Sequence, residues 1–251
     1  LPVQDLASAR TFRGEVRRVD QLAALGALGA SVVHEIGGAV LAIQTLVDLI
    51  APQFPQESPD HRYLEKIQEE LDRIRRLADE IRNLAQVEIR EPVPCHLESL
   101  VADALWMVET RYRDKGITST KSIPPALPPL AGDPDRLSRA FLNILTNAFE
   151  ATPTGGRVNV VAAKEAAPDD LGAERVIAVR ITNSGSYISP GDLDRVFNLF
   201  YTTKKEGSGL GLPVAARAVA DHGGKITVRS SREEGTEFTL LLPIGKAGSR
   251  S

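Results

Sequence analysis

The sequence has very little cysteine, no basic excess and no long unbroken apolar run. Its one cysteine among 251 residues, Cys95, excludes an internal disulfide framework and suits a reducing compartment. A net charge of -3 gives no electrostatic case for binding nucleic acid or an anionic membrane. No apolar run approaches the ~20 residues of a membrane-spanning helix, so we expect no membrane contact. No signal peptide is visible and the chain opens at Leu1, so we expect a piece of a longer protein.

The first third of the chain has the periodicity of two long helices. Apolar residues recur three or four positions apart in two stripes on either side of the proline-rich turn at 51–60. The stripes are Leu22, Leu25, Val32, Ile36, Ile43, Leu46 and Ile50, and then Tyr63, Ile67, Leu71, Ile74, Leu77, Ile81 and Leu84. Such stripes are typical of amphipathic helices joined as an antiparallel hairpin. One hairpin cannot cover both of its apolar sides, so residues 1–92 are predicted to dimerise into a four-helix bundle.

The remainder, residues 93–251, alternates strand and helix patterns. Four segments alternate or run apolar as strands do, and a shorter one, ITSTKSI, is also predicted to be a strand. Helices are predicted at about 97–113, at DRLSRAFLNILTNAFEA and at LPVAARAVADHGG. The predicted fold class is therefore α + α/β: a two-helix hairpin followed by an α/β sandwich with a mixed sheet.

A glycine-rich segment precedes the last predicted helix. In KKEGSGLGL, Gly207, Gly209 and Gly211 alternate, and a helix follows. Glycine lets the backbone approach a ligand closely, and a helix N-terminus offers free N–H groups to phosphate. The spacing is not that of a P-loop, and a flexible turn that caps the helix remains an alternative.

Two asparagine motifs point to a nucleotide. Asn143 and Asn147 lie four apart on one helix face, where an amide oxygen could ligate Mg²⁺, although simple solvent exposure is the alternative. Asn183 ends an apolar strand, and Gly185 follows it. A hydrogen-bond acceptor at a strand end suits a purine amino group, and a plain turn is the alternative.

Taken in order, these motifs resemble one family. The order is the Asn…Asn helix, strand–Asn–x–Gly, FNLFYTTK, GSGLGL and a final GTEF. This set resembles the bacterial sensor histidine kinases of two-component systems, over roughly residues 20 to 245. The resemblance implies a cytoplasmic ATP-binding domain of the gyrase-like fold, alone or as the cytoplasmic part of a membrane-anchored sensor.

The resemblance also assigns the stretch SVVHEIGGAV. His34 takes the position of the phospho-acceptor, and Glu35 that of the base that accepts or orients the proton on the other ring nitrogen. The helical neighbours of His34 are small, namely Ala30, Ser31, Gly37 and Gly38. A histidine packed at a helix seam is the alternative for His34, and bare solvation is the alternative for Glu35.

The remaining site residues are implied by the resemblance, motif by motif. Asn147 is the expected Mg²⁺ ligand, with Asn143 as its companion. Asn183, Gly185 and Thr236 are expected near the adenine, and Lys204 near the phosphates. The lid is expected to run from Lys204 to Ser208, and Gly207, Gly209 and Gly211 are expected to line the triphosphate, with Leu210 between the last two. A freely solvated lysine is the alternative for Lys204. Asp133 is expected to cap a helix, and no chemical role is expected for His61, His96 or His222.

Three positions depart from the family pattern, namely Asn183, Gly38 and Ala39, which replaces a usual proline, and two of them bear on function. Many relatives carry Asp where this chain has Asn183, so the accepting oxygen is kept but the charge is lost. Many carry Asn or Thr four residues after the acceptor, where this chain has Gly38, which has no side chain to position a water. We therefore predict weak phosphatase activity toward the phosphorylated partner.

The sequence thus predicts a homodimeric protein-histidine kinase. It would use ATP and Mg²⁺ to phosphorylate His34 and would pass the phosphoryl group to an aspartate of a response-regulator receiver domain. The rival hypothesis is a catalytically weak, dimeric nucleotide-binding signalling scaffold. A gyrase-like ATPase clamp is disfavoured, because the His-Glu hairpin would then have no purpose.

Overall fold

The chain forms two compact units. The computed structural model describes residues 36–85, 91–204 and 207–244. Contacts divide the chain into Leu1–Glu88 and Ile89–Ser251. The predicted domain ranges of 1–92 and 93–251 stay a prediction.

The described part of the first unit is a helical hairpin. Helix α1 covers residues 36–50, a short 3₁₀ turn covers Ala51–Gln53, and helix α2 runs from Pro59 to Ala85. Ser58 precedes α2, and its hydroxyl accepts the backbone N–H of His61 at 3.1 Å, which satisfies a free donor of the first turn. The predicted hairpin is confirmed in the described residues.

A narrow apolar seam joins the two helices. It consists of four buried side chains, Val40, Val47, Leu64 and Leu71. Beside it, Gln68 Nε2 on α2 donates to Asp48 Oδ1 on α1 at 3.2 Å. Because each helix contributes only two buried side chains to the seam, the hairpin buries little apolar surface of its own.

Most of the predicted stripe on α1 lies outside this seam. The exposed large apolar residues of the hairpin are Ile36, Leu41, Ile43, Leu46, Leu49, Ile50, Phe54, Tyr63, Ile67 and Ile74. Ile36, Ile43 and Ile50 are seven apart and therefore share one face of α1. The predicted stripe is therefore confirmed at these three residues. The side chains of α1 that pack against α2 are Val40 and Val47, beside the stripe.

The segment Ile36–Gln53 is long enough and apolar enough to cross a membrane, by length and composition alone. Its mean hydropathy is 1.4 over 18 residues, and 11% of the window is buried. We expected no segment to approach the length and apolar composition of a membrane-spanning helix, and for α1 that expectation is wrong. Polar residues such as Gln44 and Asp48 interrupt the apolar run in sequence but lie together on one helix face, which the search for unbroken runs could not detect.

The second unit alternates strands and helices. In chain order its elements are β1 (Val93–Cys95), α3 (Leu97–Arg111), β2 (Thr118–Ser122), β3 (Leu130–Gly132), α4 (Pro134–Ala151), β4 (Arg157–Ala166), β5 (Arg175–Asn183), α5 (Pro190–Leu193), α6 (Gly211–Asp221), β6 (Lys225–Ser231) and β7 (Gly235–Pro243). Single 3₁₀ turns lie at Arg113–Lys115 and Asp169–Leu171.

The main sheet is mixed, as predicted. Its five strands have the order β2-β4-β5-β7-β6, and β1 pairs with β3 in a separate two-stranded ladder. Strands β2 and β4 are parallel, and the other pairs of the main sheet are antiparallel. In the central pair, Asn183 lies directly opposite Thr236. This register brings two sequence-predicted site residues together at one end of the sheet.

One face of the sheet packs against the three long helices of this unit. Strands β4, β5 and β7 present alternate apolar residues to the core, including Val160, Ile181 and Phe238. Helix α4 supplies fully buried aromatic and aliphatic side chains, among them Phe141 and Phe149. This core holds α4 and the strand ends in fixed positions, and these are the elements that carry the asparagine motifs.

Candidate nucleotide site

Helix α4 is anchored at both ends. At its start, the Asp133 carboxylate accepts the backbone N–H groups of Asp135 and Arg136 at 3.0 and 3.2 Å, which confirms the predicted cap. At its end, Lys115 Nζ donates to the carbonyl oxygens of Phe149, Glu150 and Thr152 at 3.1, 2.9 and 3.1 Å. A cation there also complements the helix dipole. These bonds fix both ends of α4 and so hold its half-buried face in position.

Asn143 and Asn147 occupy that half-buried face. An added Cβ on Gly211, the first residue of α6, would lie 3.8 Å from Asn143 Cγ and Oδ1. Asn147 Oδ1 accepts a hydrogen bond from Lys204 Nζ at 2.7 Å. The asparagine helix therefore contacts both the start of α6 and the lysine that begins the predicted lid.

Lys204 also forms an ion pair with α4. Its Nζ lies 2.7 Å from Glu150 Oε2, and the Tyr112 hydroxyl donates to Glu150 Oε1 at 2.9 Å. Burial raises the pKa of the Glu150 carboxyl, but the hydrogen bond and charge of Lys204 and the bond from Tyr112 outweigh burial and hold it below its ordinary value. Burial, reinforced by the bond to Glu150, raises the pKa of Tyr112 to about 12. Glu150 is thus a carboxylate that fixes Lys204 beside Asn147.

The glycine-rich segment approaches the preceding aromatic segment closely. Gly209 has φ +69°, and an added Cβ would lie 2.5 Å from the backbone carbon of Phe200. Its carbonyl oxygen accepts the N–H of Phe200 at 3.1 Å. A side chain at position 209 would clash with this backbone, so the motif requires glycine here.

The other members of the segment lead into α6. The Ser208 hydroxyl accepts the N–H of Leu210 at 3.2 Å, and Gly211 opens the helix. The Leu210 side chain is fully buried, so any contact between Leu210 and a nucleotide would involve its main chain. Gly207 packs against the Thr202 hydroxyl. The result is a helix N-terminus beside Asn143, which is the arrangement that phosphate binding needs.

Asn183 lies at the end of β5 in a buried polar cluster. It is 1% exposed, and its Nδ2 donates to Ser186 Oγ at 2.7 Å. Ser186 Oγ in turn donates to Thr236 Oγ1 at 2.9 Å. Gly185, between them, has φ +75°, and an added Cβ would lie 2.8 Å from the ring of Pro153, which follows α4. The turn after β5 is therefore packed against the end of the asparagine helix.

The comparisons with known proteins agree with this geometry. Residues 132–246 match the family model described as histidine kinase-, DNA gyrase B- and HSP90-like ATPase. The chain is 32% identical over 239 residues to the sensor histidine kinase ZraS of Escherichia coli (strain K12). The matched region covers 95% of this chain and 50% of ZraS. It thus spans about half the length of that relative.

Two solved structures are also similar. The mycobacterial sensor histidine kinase MprB is 30% identical, with a TM-score of 0.51, over 61% of this chain and 96% of MprB. The chain belongs to the sensor histidine kinases. The histidine kinase ThkA, solved in complex with the response regulator TrrA, is 24% identical with a TM-score of 0.62, over 93% of this chain and 66% of ThkA. At that identity the likeness to ThkA extends to the fold alone.

The predicted catalytic pair of this sensor histidine kinase, His34 and Glu35, lies outside the described residues. Of the other histidines, His222 is a buried structural residue. Its Nε2 accepts the N–H of Asp133 at 2.8 Å and its Nδ1 donates to the carbonyl oxygen of Ala218 at 2.7 Å. His222 therefore supports the cap of α4, in agreement with the absence of a predicted chemical role.

The donor set of the kinase can be tested against Mg²⁺. The described residues contain no group of three or more His, Cys, Asp or Glu that could hold a metal ion. Asn147 Oδ1, however, already faces the ammonium group of Lys204 at 2.7 Å, so this oxygen is placed to hold a cation. Mg²⁺ commonly takes one or two protein oxygens and completes its shell with waters and phosphate oxygens. The residues present fit such an ion.

Sequence reasoning missed three members of the kinase site, namely Glu150, Tyr112 and Ser186. Glu150 follows Asn147 by three positions, so helical spacing was a usable signal. Tyr112 joins the site only through packing, because its partner is 38 residues away along the chain, and no local pattern could have identified it. Ser186 is bonded to Asn183 three residues before it, so proximity to the strand–Asn–x–Gly motif was a usable signal for Ser186.

Proposed function

We propose that this chain is the catalytic core of a sensor histidine kinase that phosphorylates itself on His34. The α/β unit would bind ATP, and the phosphoryl group would pass to an aspartate of a response-regulator receiver domain. The observation that carries the proposal is the site at one end of the α/β unit. There, Asn143 lies beside Gly211 at the start of α6, and Lys204 is bonded to Asn147 one turn further along α4. Asn183 lies opposite Thr236 at the sheet end.

The nucleotide is proposed to lie with its base toward Asn183 and Thr236 and its phosphates toward α4 and α6. The N-terminus of α6 and the Lys204 ammonium supply positive potential for the phosphates. Mg²⁺, held by Asn147, would neutralise charge on the phosphate oxygens. Asn143 lies close to Gly211 and would support the same region.

The proposed reaction is an in-line displacement at the γ-phosphorus. A neutral imidazole nitrogen of His34 attacks, a P–N bond forms, the bond to the β–γ bridging oxygen breaks, and ADP leaves. An unperturbed histidine pKa of about 6.5 keeps the ring mostly neutral at pH 7, so the nucleophile needs little activation. Glu35 accepts or orients the proton on the other ring nitrogen.

A second copy of the chain is the proposed cover for the exposed apolar face of α1. This face includes Ile36, Ile43 and Ile50 and lies beside the narrow seam of the hairpin. Pairing two such faces makes a four-helix bundle and removes the apolar residues from water. The same pairing accounts for the apolar composition of α1 without a membrane, so we propose no membrane contact for this part of the protein and a cytoplasmic location.

The partner is proposed to be a response-regulator receiver domain. The likeness to ThkA, which was solved in complex with the response regulator TrrA, supports this class of partner. Weak phosphatase activity toward that partner is also proposed, because Gly38 offers no side chain four residues after His34.

The test is incubation of the purified chain with Mg²⁺ and γ-labelled ATP. We expect acid-labile, base-stable label on the wild type and none on His34→Gln, with ADP binding unchanged in both. Transfer of that label to an aspartate of a purified receiver domain tests the second step. Binding of ADP without any label on the wild type would instead support the rival function, a nucleotide-binding scaffold.

A further inference from the structure

The buried polar cluster at the end of β5 contains more than the residues that the proposed function uses. Ser186, Thr236 and Ser230 form a chain of hydroxyl groups that ends on the Asn183 amide. We infer that Ser186 is a positioning residue that fixes the orientation of the Asn183 amide and thereby makes the site selective for a 6-aminopurine over a 6-oxopurine. This inference rests on the proposed nucleotide-binding function and deepens it.

The orientation of an asparagine amide decides which base it can recognise. The amide has an accepting oxygen and a donating NH₂ group, and a flip about the side chain exchanges them. The amino group on C6 of adenine donates, whereas the carbonyl oxygen on C6 of guanine accepts. A carboxylate at this position would accept in either orientation, but Asn183 discriminates only if its orientation is held.

The hydrogen bonds hold it in one orientation. Asn183 Nδ2 donates to Ser186 Oγ at 2.7 Å, so one of the two amide N–H groups is engaged with protein and the carbonyl oxygen is the acceptor that remains for a ligand. The Ser186 hydroxyl proton is in turn donated to Thr236 Oγ1 at 2.9 Å. Because each hydroxyl has a single proton, Ser186 cannot also donate to a flipped Asn183 oxygen without releasing Thr236.

Ser230, at the far end of this row of hydroxyl groups, sets the direction in which the hydrogen bonds run. Ser230 Oγ lies 2.8 Å from Thr236 Oγ1, accepts the N–H of Ile188 at 2.9 Å and donates to the carbonyl oxygen of Gly235 at 3.3 Å. Either hydroxyl of the Ser230–Thr236 pair can donate, and the Thr236 hydroxyl also lies 3.4 Å from the carbonyl oxygen of Ser186. Because Ser230 has a single proton, it can donate to the Gly235 carbonyl only when Thr236 donates to Ser230. Reversing every hydroxyl would therefore leave the Gly235 acceptor without Ser230. Ser186 and Ser230 are half-buried, but Asn183, Gly235 and Thr236 are buried. The hydroxyl chain therefore keeps its direction, because an unpaired buried carbonyl at Gly235 would be costly.

The experiment compares two nucleotides that cannot donate a phosphoryl group. Isothermal titration of the whole chain with Mg·ADP and Mg·GDP gives both dissociation constants without any turnover. We expect the wild type to prefer ADP. In Ser186→Ala the freed amide populates both orientations, so ADP binding weakens by about twofold while GDP binding tightens by about fivefold. The ADP/GDP preference then narrows by roughly tenfold. Equal weakening of both nucleotides, or no change in either, would overturn the inference.

Two further variants separate positioning from a structural effect. In Asn183→Asp the carboxylate needs no orientation, so adding Ser186→Ala to that background should change the ADP/GDP ratio by less than about twofold. Ser184→Ala is the matched control, since the Ser184 hydroxyl accepts the backbone N–H of Arg157 at 2.9 Å and lies in the same turn. It should leave the ratio unchanged. A ratio that shifts equally in the asparagine and aspartate backgrounds would exclude the positioning role.

A nucleotide-free measurement keeps this inference separate from the proposed function. In ¹⁵N NMR spectra, one Nδ2 proton of Asn183 should be protected from exchange in the wild type and unprotected in Ser186→Ala. A wild type that binds neither nucleotide but shows this protection would overturn the nucleotide-binding function alone. A wild type that binds ADP but lacks the protection would overturn the role of Ser186 alone.

Discussion

The two units of this kinase treat apolar surface in opposite ways. Within its described residues, the hairpin buries four aliphatic side chains along its seam and leaves ten large apolar residues exposed. The α/β unit closes a continuous core in which Phe141, Phe149 and Phe238 are almost completely shielded from water, and it also buries polar residues such as Asn183 and Thr236. Two helices cannot enclose a core, whereas a sheet covered by three helices can. From this difference we propose that the α/β unit is stable by itself and that the hairpin requires a second copy.

The largest expected effect concerns the core of the α/β unit. Phe141→Ala should lower its free energy of unfolding by about 3–5 kcal/mol, because a fully buried ring is removed and a cavity remains. Phe200→Ala is the matched control, since Phe200 is 55% exposed and should cost less than about 1 kcal/mol. Urea denaturation followed by circular dichroism measures both. Similar losses in the two variants would contradict the asymmetry between core and surface.

The second prediction tests the exposed face of α1. Ile43 is 46% exposed beside the seam, and Ile43→Lys should weaken self-association on the order of a hundredfold, because a charge would be buried in the dimer. Leu41→Lys is the control, since Leu41 lies seven residues from Asp48 and therefore on its face, away from Ile43. Analytical ultracentrifugation should give a monomer for the first variant and a dimer for the second. A monomeric wild type would refute the requirement for a second copy.

The third prediction concerns the hairpin and its part in dephosphorylating the phosphorylated partner. An added Cβ on Gly37 or on Gly38 meets nothing within 4 Å, so either position can accept a side chain. Gly38→Thr should raise the rate of partner dephosphorylation about tenfold, because a hydroxyl four residues after His34 can position the attacking water. Gly37→Thr changes helix propensity to the same extent and should have no such effect. Dephosphorylation of the labelled receiver in the presence of ADP measures the rate, and fast turnover in the wild type would contradict the proposal.

The fourth prediction concerns the phosphate end of the α/β site. Lys204→Met should weaken ATP binding about tenfold while adenosine binding stays within about twofold, because only the phosphates lose a charged partner. Lys225→Met is the control, since Lys225 forms a comparable pair with Asp170 at 2.7 Å. Calorimetric titration distinguishes the two. An equal loss for ATP and adenosine would place the Lys204 effect on folding instead.

The smallest expected effect is the pH dependence of the Glu150–Lys204 pair. The folded pKa of Glu150 is lowered, so its stabilisation is complete above the unfolded value of about 4.3 and is lost as pH falls through the folded value. The Glu150 side chain is 35% exposed, so solvent screening limits the gain to about 0.5 kcal/mol. The difference in unfolding free energy between wild type and Glu150→Gln should be constant between about pH 5 and 7 and should shrink below about pH 4. In a Lys204→Met background the difference should be smaller at every pH, because only the hydrogen bond from Tyr112 then favours the Glu150 carboxylate.

The sequence predicted the elements of this molecule better than their contacts. Helix α4, the strand that ends at Asn183 and the turn at 51–60 follow from local periodicity and from proline, glycine and capping residues. The predicted apolar stripe on α1 is present. The sequence could not tell which apolar residues of α1 contact α2, because Val40 and Ile43 are both apolar residues at helical spacing. Only the position of α2 decides which of them is covered.

The same limit applies to the site. Ordered motifs predicted Asn147, Asn183, the glycine-rich segment and Thr236, because each has a local signature. The orientation of the Asn183 amide has none, since it depends on Ser186, Thr236 and Ser230 across the sheet end. Helical spacing from Asn147 was a signal for Glu150, but its pairing with Lys204 was not predictable, because the two residues are 54 positions apart along the chain.

By itself, the sequence determined the two-part organisation, the helix and strand pattern, and the set of residue types that binding a nucleotide and phosphorylating a histidine require. These features are encoded in spacing over one or two turns of chain, where periodicity and backbone preference act. The tertiary structure alone decided which apolar face stays uncovered, which carboxylate holds Lys204, and in which direction the Asn183 amide points. Those choices are set by contacts between distant segments, whose energies depend on distance and burial rather than on position in the sequence.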